Sequence, residues 1–173
     1  MDVRPELSRK VILSELPPRG LELQLVPTER ERALLAERLD ILSLDRLEAT
    51  LRISGERDSE LFLVQGEVEA TLVQHCVVTM EPVTSPIAFS FSRQLTIREP
   101  EGGQSTVIDP EAEDEPDYVA DGIADVGEIL TEELILALPP YPRTTEAAVP
   151  LAVSTGRDDH PFKVLGSLLG RTS

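Results

Sequence analysis

The stretch Leu61–Met80 constrains the fold of this chain more than any other, because its side chains alternate along its whole length. Every second position is mostly apolar, namely Phe62, Val64, Val68, Ala70, Leu72, Cys76, Val78 and Met80. The positions between them hold mostly polar residues, among them Gln65, Glu67, Glu69, Thr71, His75 and Thr79. A period of two predicts a long, half-buried β-strand, in which Gly66 is a natural place for a bulge.

Two further segments repeat this alternation, Ser43–Ser54 before the long stretch and Ile87–Ile97 after it. Polar or proline-containing turns, Gly55–Ser59 and Pro82–Pro86, separate the three segments. They therefore predict an antiparallel meander whose apolar face needs a cover. Arg93 interrupts the apolar row of the last strand. It is either a partner for a buried carboxylate or an edge side chain that reaches water, and the second interpretation is favoured.

The segments before the meander predict two short strands, Ser8–Ser14 and Gly20–Val26, followed by one helix. Thr28 and Glu31 have the spacing of a capping box, in which each side chain accepts a hydrogen bond from the backbone of the other. An apolar stripe among charged residues follows, so a helix is predicted over Glu29–Leu39.

Beyond the meander, residues 99–117 are rich in acidic residues, glycine and proline, and they predict a flexible acidic loop. This loop is either a docking patch for a basic protein or a solvated insertion, and composition favours the insertion. A short strand is predicted at Asp117–Ile123 and a second helix from Asp125, where Asp125 and Glu128 again have capping-box spacing. A short amphipathic helix is predicted after His160.

Together these elements predict an α+β fold. Its centre is a mainly antiparallel β-sheet, a meander of long strands whose pattern also allows strong curvature, covered by two short helices. The sequence predicts that residues 1–142 form a single domain that includes the acidic loop. It predicts that residues 143–173 form an irregular tail with the short terminal helix. Because aromatic residues make up only 3% of the chain and tryptophan is absent, the core is expected to be aliphatic.

The charge of the chain restricts its partners. The chain has 32 acidic and 16 basic residues, which gives a formal net charge of −16. Such a field repels phosphate backbones and attracts basic partners, although solubility alone is an equally good explanation of the charge. No apolar run approaches membrane-spanning length and the first residues are charged, so a cytoplasmic protein without membrane association is expected.

The residues that most often carry chemistry do not form a site here. Adjacent strand residues point to opposite faces, so His75 and Cys76 do not form a catalytic couple. The single cysteine excludes a cysteine-based zinc cluster, and no second histidine lies near His75 at metal-ligand spacing. We therefore expect no enzyme activity, no metal and no cofactor, and Cys76 is interpreted as a small buried apolar residue.

Three stretches together resemble one family. The run Gly66–Val83 resembles the signature of the YceD family, which is known from bacteria and plastids. That signature is a Gly-x-Val-x-Ala strand that leads into a Cys-x-x-Thr-Leu-x-Pro-like segment, and this chain has Met80 at the Leu position. Asp125–Pro139 resembles the Leu-rich segment that follows the acidic loop in this family. His160–Leu165 resembles the terminal Pro-Phe-x-x-Leu segment. The helix at Thr28–Leu39 after two strands matches the alphaproteobacterial style of the family.

The resemblance implies a role in the accumulation of 23S ribosomal RNA and in large-subunit assembly. Charge then favours a basic ribosomal protein or a pre-ribosomal particle as the partner, with direct RNA contact through an arginine patch (Arg46, Arg52, Arg57, Arg93) as an alternative. An acidic interaction protein unrelated to ribosomes is a further alternative. The residues expected to contact the partner are Glu67, Glu69, Thr71, His75, Glu111, Glu113, Asp114, Glu115, Asp117, Phe162 and Leu165. A structural role is expected for Gly66, Cys76, Thr79 and Pro82.

Overall fold

The computed structural model describes residues 5–55, 60–99 and 115–145, and these ranges contain seven strands and two α-helices. The strands are β1 (Lys10–Ile12), β2 (Leu21–Leu25), β3 (Ser43–Gly55), β4 (Leu61–His75), β5 (Pro82–Thr96), β6 (Asp117–Tyr118) and β7 (Ile123–Asp125). The helices are α1 (Glu29–Arg38) and α2 (Val126–Ala137). The predicted α+β class is confirmed.

Five strands form one open sheet in the order β2-β3-β4-β5-β6. Strands β2 to β5 are antiparallel, and β4 pairs with β5 over its full length, from Leu61 opposite Thr96 to His75 opposite Pro82. At the far edge β6 runs parallel to β5, because the connection 97–116 is long enough for the chain to cross back before it pairs. The sheet is therefore mixed rather than purely antiparallel. The strong curvature that the sequence allowed is not found in it.

The two remaining strands, β1 and β7, form a separate antiparallel pair. The sequence predicted the position of β1 but gave no sign of its partner, since the two strands are more than a hundred residues apart, with Lys10 opposite Asp125. The predicted single strand over Asp117–Ile123 is wrong. A 3-10 turn at Ala120–Gly122 divides this region into β6 and β7, and Asp121 and Gly122 both have positive φ angles.

Strand β4 ends at His75, five residues before the predicted end at Met80. The chain turns there, since the Met80 amide donates to the Cys76 carbonyl at 2.9 Å and the Cys76 amide donates to the Glu81 carbonyl at 2.8 Å. Val78 and Met80, assigned to the buried face by alternation, are 40% and 65% exposed. The alternating pattern of the sequence therefore extends past the end of the strand into a turn, where it does not determine which side chains are buried.

The expected bulge at Gly66 is also wrong. Both ladders of β4 run through Gly66 without interruption, and the register shifts instead between Leu44 and Arg46 of β3. The glycine is needed for packing: a Cβ atom on Gly66 would lie 2.2 Å from Cε1 of Phe91 on β5. The ring occupies the space that any other side chain at position 66 would need.

One face of the sheet forms the core. Its residues on β3 and β4 are almost completely buried; they include Leu47, Ala49, Leu51, Ile53, Val64, Val68, Ala70 and Leu72. Leu35 of α1 and Leu130 and Leu134 of α2 belong to the same cluster. Among the described residues, Phe62 is the only aromatic side chain in the buried set, so the expected aliphatic core is confirmed. No helix in the described ranges combines the length and the apolar character needed to cross a membrane.

The start of α1 is as predicted. The Glu31 amide donates to the Thr28 hydroxyl at 3.3 Å, and the Thr28 amide donates to the Glu31 carboxylate at 2.8 Å. These two bonds satisfy two backbone donors that a helix leaves free at its first turn. They fix the point at which the chain leaves β2 and covers β3.

The start of α2 differs in one respect from the prediction. Asp125 caps the helix by accepting hydrogen bonds from the Gly127 and Glu128 amides. Glu128 does not complete a capping box, because its carboxylate forms a bidentate pair with Arg38 of α1. Asp125 also accepts bonds from the Ser8 hydroxyl and the Arg9 amide, so this carboxylate links β1 to α2.

Candidate functional site

The second face of the sheet is polar and faces solvent. On β4 it carries Glu67, Glu69 and Thr71, three of the residues predicted to contact a partner, with His75 at the end of the strand. Glu67, Glu69 and His75 are exposed, and Thr71 is half-buried. These side chains lie on one face because odd-numbered residues of β4 point away from the core. We call this surface the polar sheet face.

Two shallow open grooves of about 660 Å³ and 690 Å³ lie along the polar sheet face. Both are lined by Thr50, Glu67 and Ser90, which stand opposite one another on β3, β4 and β5. Glu67 therefore lies at the centre of this surface. Its neighbours on β5 are small residues, Ala88, Ser90 and Ser92, so the glutamates of β4 are accessible from that side.

Carboxylates outnumber guanidinium groups on the polar sheet face. Arg46 contacts Glu48 at 2.9 Å and Glu69 at 3.2 Å, and Arg52 contacts Glu22 at 2.9 Å. The hydrogen bond from Arg46 lowers the pKa of Glu48. Glu67 has no hydrogen bond or ion pair within 4 Å in the described part of the chain. The face as a whole is acidic, and Glu67 at its centre interacts with Arg52 only beyond ion-pair distance.

Asp117, another predicted contact residue, is not part of the polar sheet face. Its carboxylate bonds to Arg93 on the core side of the sheet, and Arg93 also contacts Glu132 at 2.5 Å and Glu133 at 3.8 Å on α2. Neither interpretation of Arg93 describes it in full. The side chain lies on a strand whose outer edge is largely unpaired among the described residues and it keeps some exposure, but it pairs with carboxylates, which are 20% to 50% exposed rather than buried. Its side chain is 27% exposed and ties β5 to β6 and α2.

Of the other predicted contact residues, only Glu115 lies in the described part of the chain. Glu115 is exposed just before β6. Five lie outside the described residues, namely Glu111, Glu113, Asp114, Phe162 and Leu165.

Cys76 is fully buried in the turn that joins β4 to β5. The sequence interpretation as a buried residue is confirmed, but the sulfur is more than an apolar group. The Thr79 amide donates to Sγ at 3.4 Å. Hydrogen bonds from Thr79, and then from the backbone of Thr144 and Val78, lower the pKa of the Cys76 thiol to about 6. Thr79 also accepts a bond from the Glu81 amide, and Pro82 begins β5 opposite His75.

His75 uses its ring to close the same turn. Its Nδ1 atom lies 2.9 Å from the Met80 carbonyl oxygen, an acceptor that requires a proton on Nδ1. The ring and the buried Cys76 sulfur thus have separate partners. In the three described ranges, no group of three or more histidine, cysteine and acidic side chains could hold a metal ion.

Sequence reasoning missed one exposed apolar surface. Val77, Met80 and Tyr141 are 48%, 65% and 74% exposed, and the Val77 amide donates to the Pro142 carbonyl at 3.0 Å. That bond brings the β4–β5 turn beside the segment after α2. The available signal was the run Val77, Val78 and Met80, which places apolar residues on both sides of the supposed strand.

Comparison with known proteins identifies one family. The profile of the family described as large ribosomal RNA subunit accumulation protein YceD matches residues 64–164. No curated protein and no solved structure matches this chain. The matched range begins inside β4 and includes the centre of the polar sheet face and the Cys76 turn.

Proposed function

Because the chain belongs to the YceD family, which implies a role in the accumulation of large-subunit ribosomal RNA, we propose that it is a non-enzymatic assembly factor that holds a basic protein partner. The partner is a basic ribosomal protein, free or within a pre-ribosomal particle. The factor acts on 23S ribosomal RNA indirectly, by delivering or protecting the protein that the RNA needs in order to assemble.

The observation that carries the proposal is the acidic polar sheet face with Glu67 at its centre. Glutamates 22, 48, 67 and 69 stand there against Arg46 and Arg52, and both arginines are already paired with carboxylates. The chain as a whole is also acidic, with a net charge of −16. A surface of this sign speeds the approach of a basic protein and disfavours wrong partners by like-charge repulsion.

The arrangement of the arginines argues against direct RNA binding. Arg46 and Arg52 lie on the polar sheet face, whereas Arg93 lies on the core side with three carboxylates around it. Arg57 lies outside the described residues. Phosphate groups would meet paired guanidinium groups in an acidic field, which weakens the electrostatic term that dominates nucleic-acid affinity. A protein partner is therefore favoured.

Burial of Cys76 and the separate bonding of His75 argue against a thiol enzyme. A nucleophilic thiol must reach its substrate and have a base within hydrogen-bond distance. Cys76 is fully buried, and its sulfur accepts from Thr79, while the His75 ring is engaged with Met80. A role in shaping the turn fits both residues better.

The test is co-sedimentation of the tagged full-length protein with ribosomal particles from lysate, at low and at moderate salt. We expect recovery of a basic ribosomal protein or a large-subunit precursor, and loss of recovery in the charge-reversed variant Glu67→Lys/Glu69→Lys. The matched control is Glu15→Lys/Glu37→Lys, which makes the same charge change at two exposed residues away from the polar sheet face. Equal recovery by the two variants would contradict the assignment of the face.

Treatment with ribonuclease separates the two candidate partners. Capture of the basic protein should survive digestion of the RNA, whereas capture that disappears with the RNA would support the direct RNA-binding alternative. If the wild-type protein recovers neither a ribosomal protein nor a precursor particle at either salt concentration, the proposal is wrong.

A further inference from the structure

Among the described residues, the outer edge of β5 has no partner over most of its length. β5 is fifteen residues long and pairs with β4 throughout, but β6 pairs only with its last two residues, Leu95 and Thr96. From Thr84 to Gln94, no backbone group on the outer edge has a hydrogen-bond partner among the described residues. An unpaired edge of this kind is a template for another strand.

Two hydrogen bonds at the end of β5 identify which residues face the open edge. The Val119 amide donates to the Thr96 carbonyl at 2.8 Å on the β6 side, and the Ile97 amide donates to the Glu60 carbonyl at 3.1 Å on the β4 side. Backbone groups alternate between the two sides of a strand. The even-numbered residues of β5 therefore direct their N–H and C=O groups outward, whereas the odd-numbered residues bond to β4.

Proline limits the usable part of this edge. Pro82 and Pro86 are both even-numbered, so neither removes a donor from the ladder with β4. Pro86 has no N–H to offer an incoming strand. Pro86 separates the outward donor of Thr84 from the uninterrupted set that follows, which belongs to Ala88, Ser90, Ser92 and Gln94. A partner of about five to seven residues, an ordinary strand length, would cover this window.

The two sides of the open edge have different chemistry. On the core side lie Ile87, Phe89 and Phe91, which are only half-buried. On the polar side lie Ala88 and Ser90, and behind them on β4 stand Glu69 and Glu67 in direct register. An added strand would lie about 10 Å from β4, two strand spacings, and a lysine or arginine side chain meeting a glutamate can span that distance.

We infer that an extended basic segment of the partner pairs with β5 from Ala88 to Gln94 as an added strand. This inference rests on the proposed function and specifies how its partner binds. The segment places apolar side chains beside Phe89 and Phe91, and it extends lysine or arginine side chains over Ser90 and Ala88 to Glu67 and Glu69. Main-chain hydrogen bonds supply affinity and the alternating side chains supply specificity.

Charge selects this occupant over a second copy of the chain. Pairing of two β5 edges would bring together two molecules that each carry a net charge of −16 and would align their glutamate rows on one continuous face. Like charges across an interface disfavour such a pairing. A basic strand reverses the sign of every one of these interactions.

Amide hydrogen exchange of the full-length ¹⁵N-labelled protein tests the inference. In the free protein, the amides of Ala88, Ser90 and Ser92 should exchange fast and those of Phe89 and Phe91, which bond to β4, should exchange slowly. A short peptide of alternating lysine and valine should then protect the even-numbered amides, while the odd-numbered amides serve as the internal control. A peptide of alternating glutamate and valine should protect neither set.

A proline substitution tests the same edge by affinity. Ser90→Pro removes an outward donor but no bond to β4, and it should weaken binding of the lysine–valine peptide about tenfold. Ser90→Ala keeps the amide and should bind as the wild type does. A circular dichroism spectrum shows whether Ser90→Pro is folded. If Ser90→Pro is not folded, the alternating pattern of amide protection in the wild-type protein is the test of strand addition.

Three results would overturn the inference. Even-numbered amides that are protected in the free protein in a concentration-dependent way would identify a second copy. Protection that disappears on truncation after Thr145 would identify a segment of the same chain. Peptide binding without protection of the even-numbered amides would exclude strand addition. If the wild-type protein captures a ribosomal protein in any of these cases, the proposed function stands and only the binding mode fails.

Discussion

Strands β4 and β5 have the same length and the same alternating pattern, yet the structure uses them differently. The core-facing residues of β4, such as Val64, Val68 and Leu72, are at most 2% exposed, whereas Ile87, Phe89 and Phe91 on β5 are only half-buried. The difference comes from neighbours. Within the described ranges, β4 is flanked by long strands on both edges, whereas β5 has one such neighbour and a two-residue partner.

This comparison shows that alternation predicts the direction of a side chain but not how well it is covered. Cover depends on the strand's place in the sheet, which is set by contacts far apart in sequence. The central strands β3 and β4 therefore supply the stability of the molecule. The edge strand β5 keeps the backbone and apolar surface that a partner can use.

The largest expected effect contrasts one buried residue of β4 with one half-buried residue of β5. Leu72→Ala should lower the free energy of unfolding by about 3 kcal/mol, because it leaves a cavity in the fully buried layer. Ile87→Ala removes a side chain of the same size but should cost only about 1 kcal/mol, since much of that surface already contacts water. Urea unfolding followed by circular dichroism measures both. Equal losses would show that β5 is covered as completely as β4.

The next effect concerns Gly66, where the Phe91 ring of β5 occupies the space that a side chain would need. Gly66→Ala should cost about 2 kcal/mol, because the new methyl group would overlap the Phe91 ring and β5 would have to move. The double variant Gly66→Ala/Phe91→Ala has no such overlap. Its loss of unfolding free energy should therefore be smaller than the sum of the losses of the two single variants. Additive costs would mean that the ring does not lie over the glycine.

Much of the fold could be predicted from the sequence because it is encoded locally. The capping box of Thr28 and Glu31, the N-cap at Asp125 and the alternation of the three long strands all arise from residues close together in the chain. The end of β4 could not be predicted in this way. Met80 adopts a positive φ of 62°, which its residue type does not predict. The turn is closed by hydrogen bonds of Cys76 and His75.

The candidate site was predicted only in part for a similar reason. Alternation placed Glu67, Glu69 and Thr71 on one face, which needs nothing beyond the strand itself. The open edge of β5 depends on where β6 joins the sheet, after a connection of about twenty residues that carries no pairing signal. The carboxylate partners of Arg93 could not be identified from the sequence, because Asp117 and Glu132 are 24 and 39 residues away.

A smaller difference in stability is expected between substitution of Arg93 on the core side of the sheet and substitution of Arg52 on the polar sheet face. Arg93→Met should lower the free energy of unfolding by about 1 kcal/mol, because three carboxylates that hold β6 and α2 to β5 lose their common partner. Arg52→Met removes an exposed pair with Glu22 and should leave the unfolding midpoint unchanged. Equal midpoints for both variants would mean that Arg93 contributes no more than a surface ion pair.

The smallest effect is expected for Arg46 on the polar sheet face. Its substitution should change the pKa of Glu48 rather than the stability of the protein. The hydrogen bond from Arg46 lowers the pKa of Glu48, so this pair contributes stability above the ordinary glutamate pKa and loses it as the pH falls through the lowered value. Arg46→Gln should therefore raise the Glu48 pKa towards its ordinary value, as measured by a ¹³C NMR titration of the side chain. The unfolding midpoint at neutral pH should not change, because both side chains are about half exposed. An unchanged Glu48 pKa would show that Arg46 is not engaged with Glu48 in solution, which would leave Glu69 as the carboxylate that Arg46 contacts.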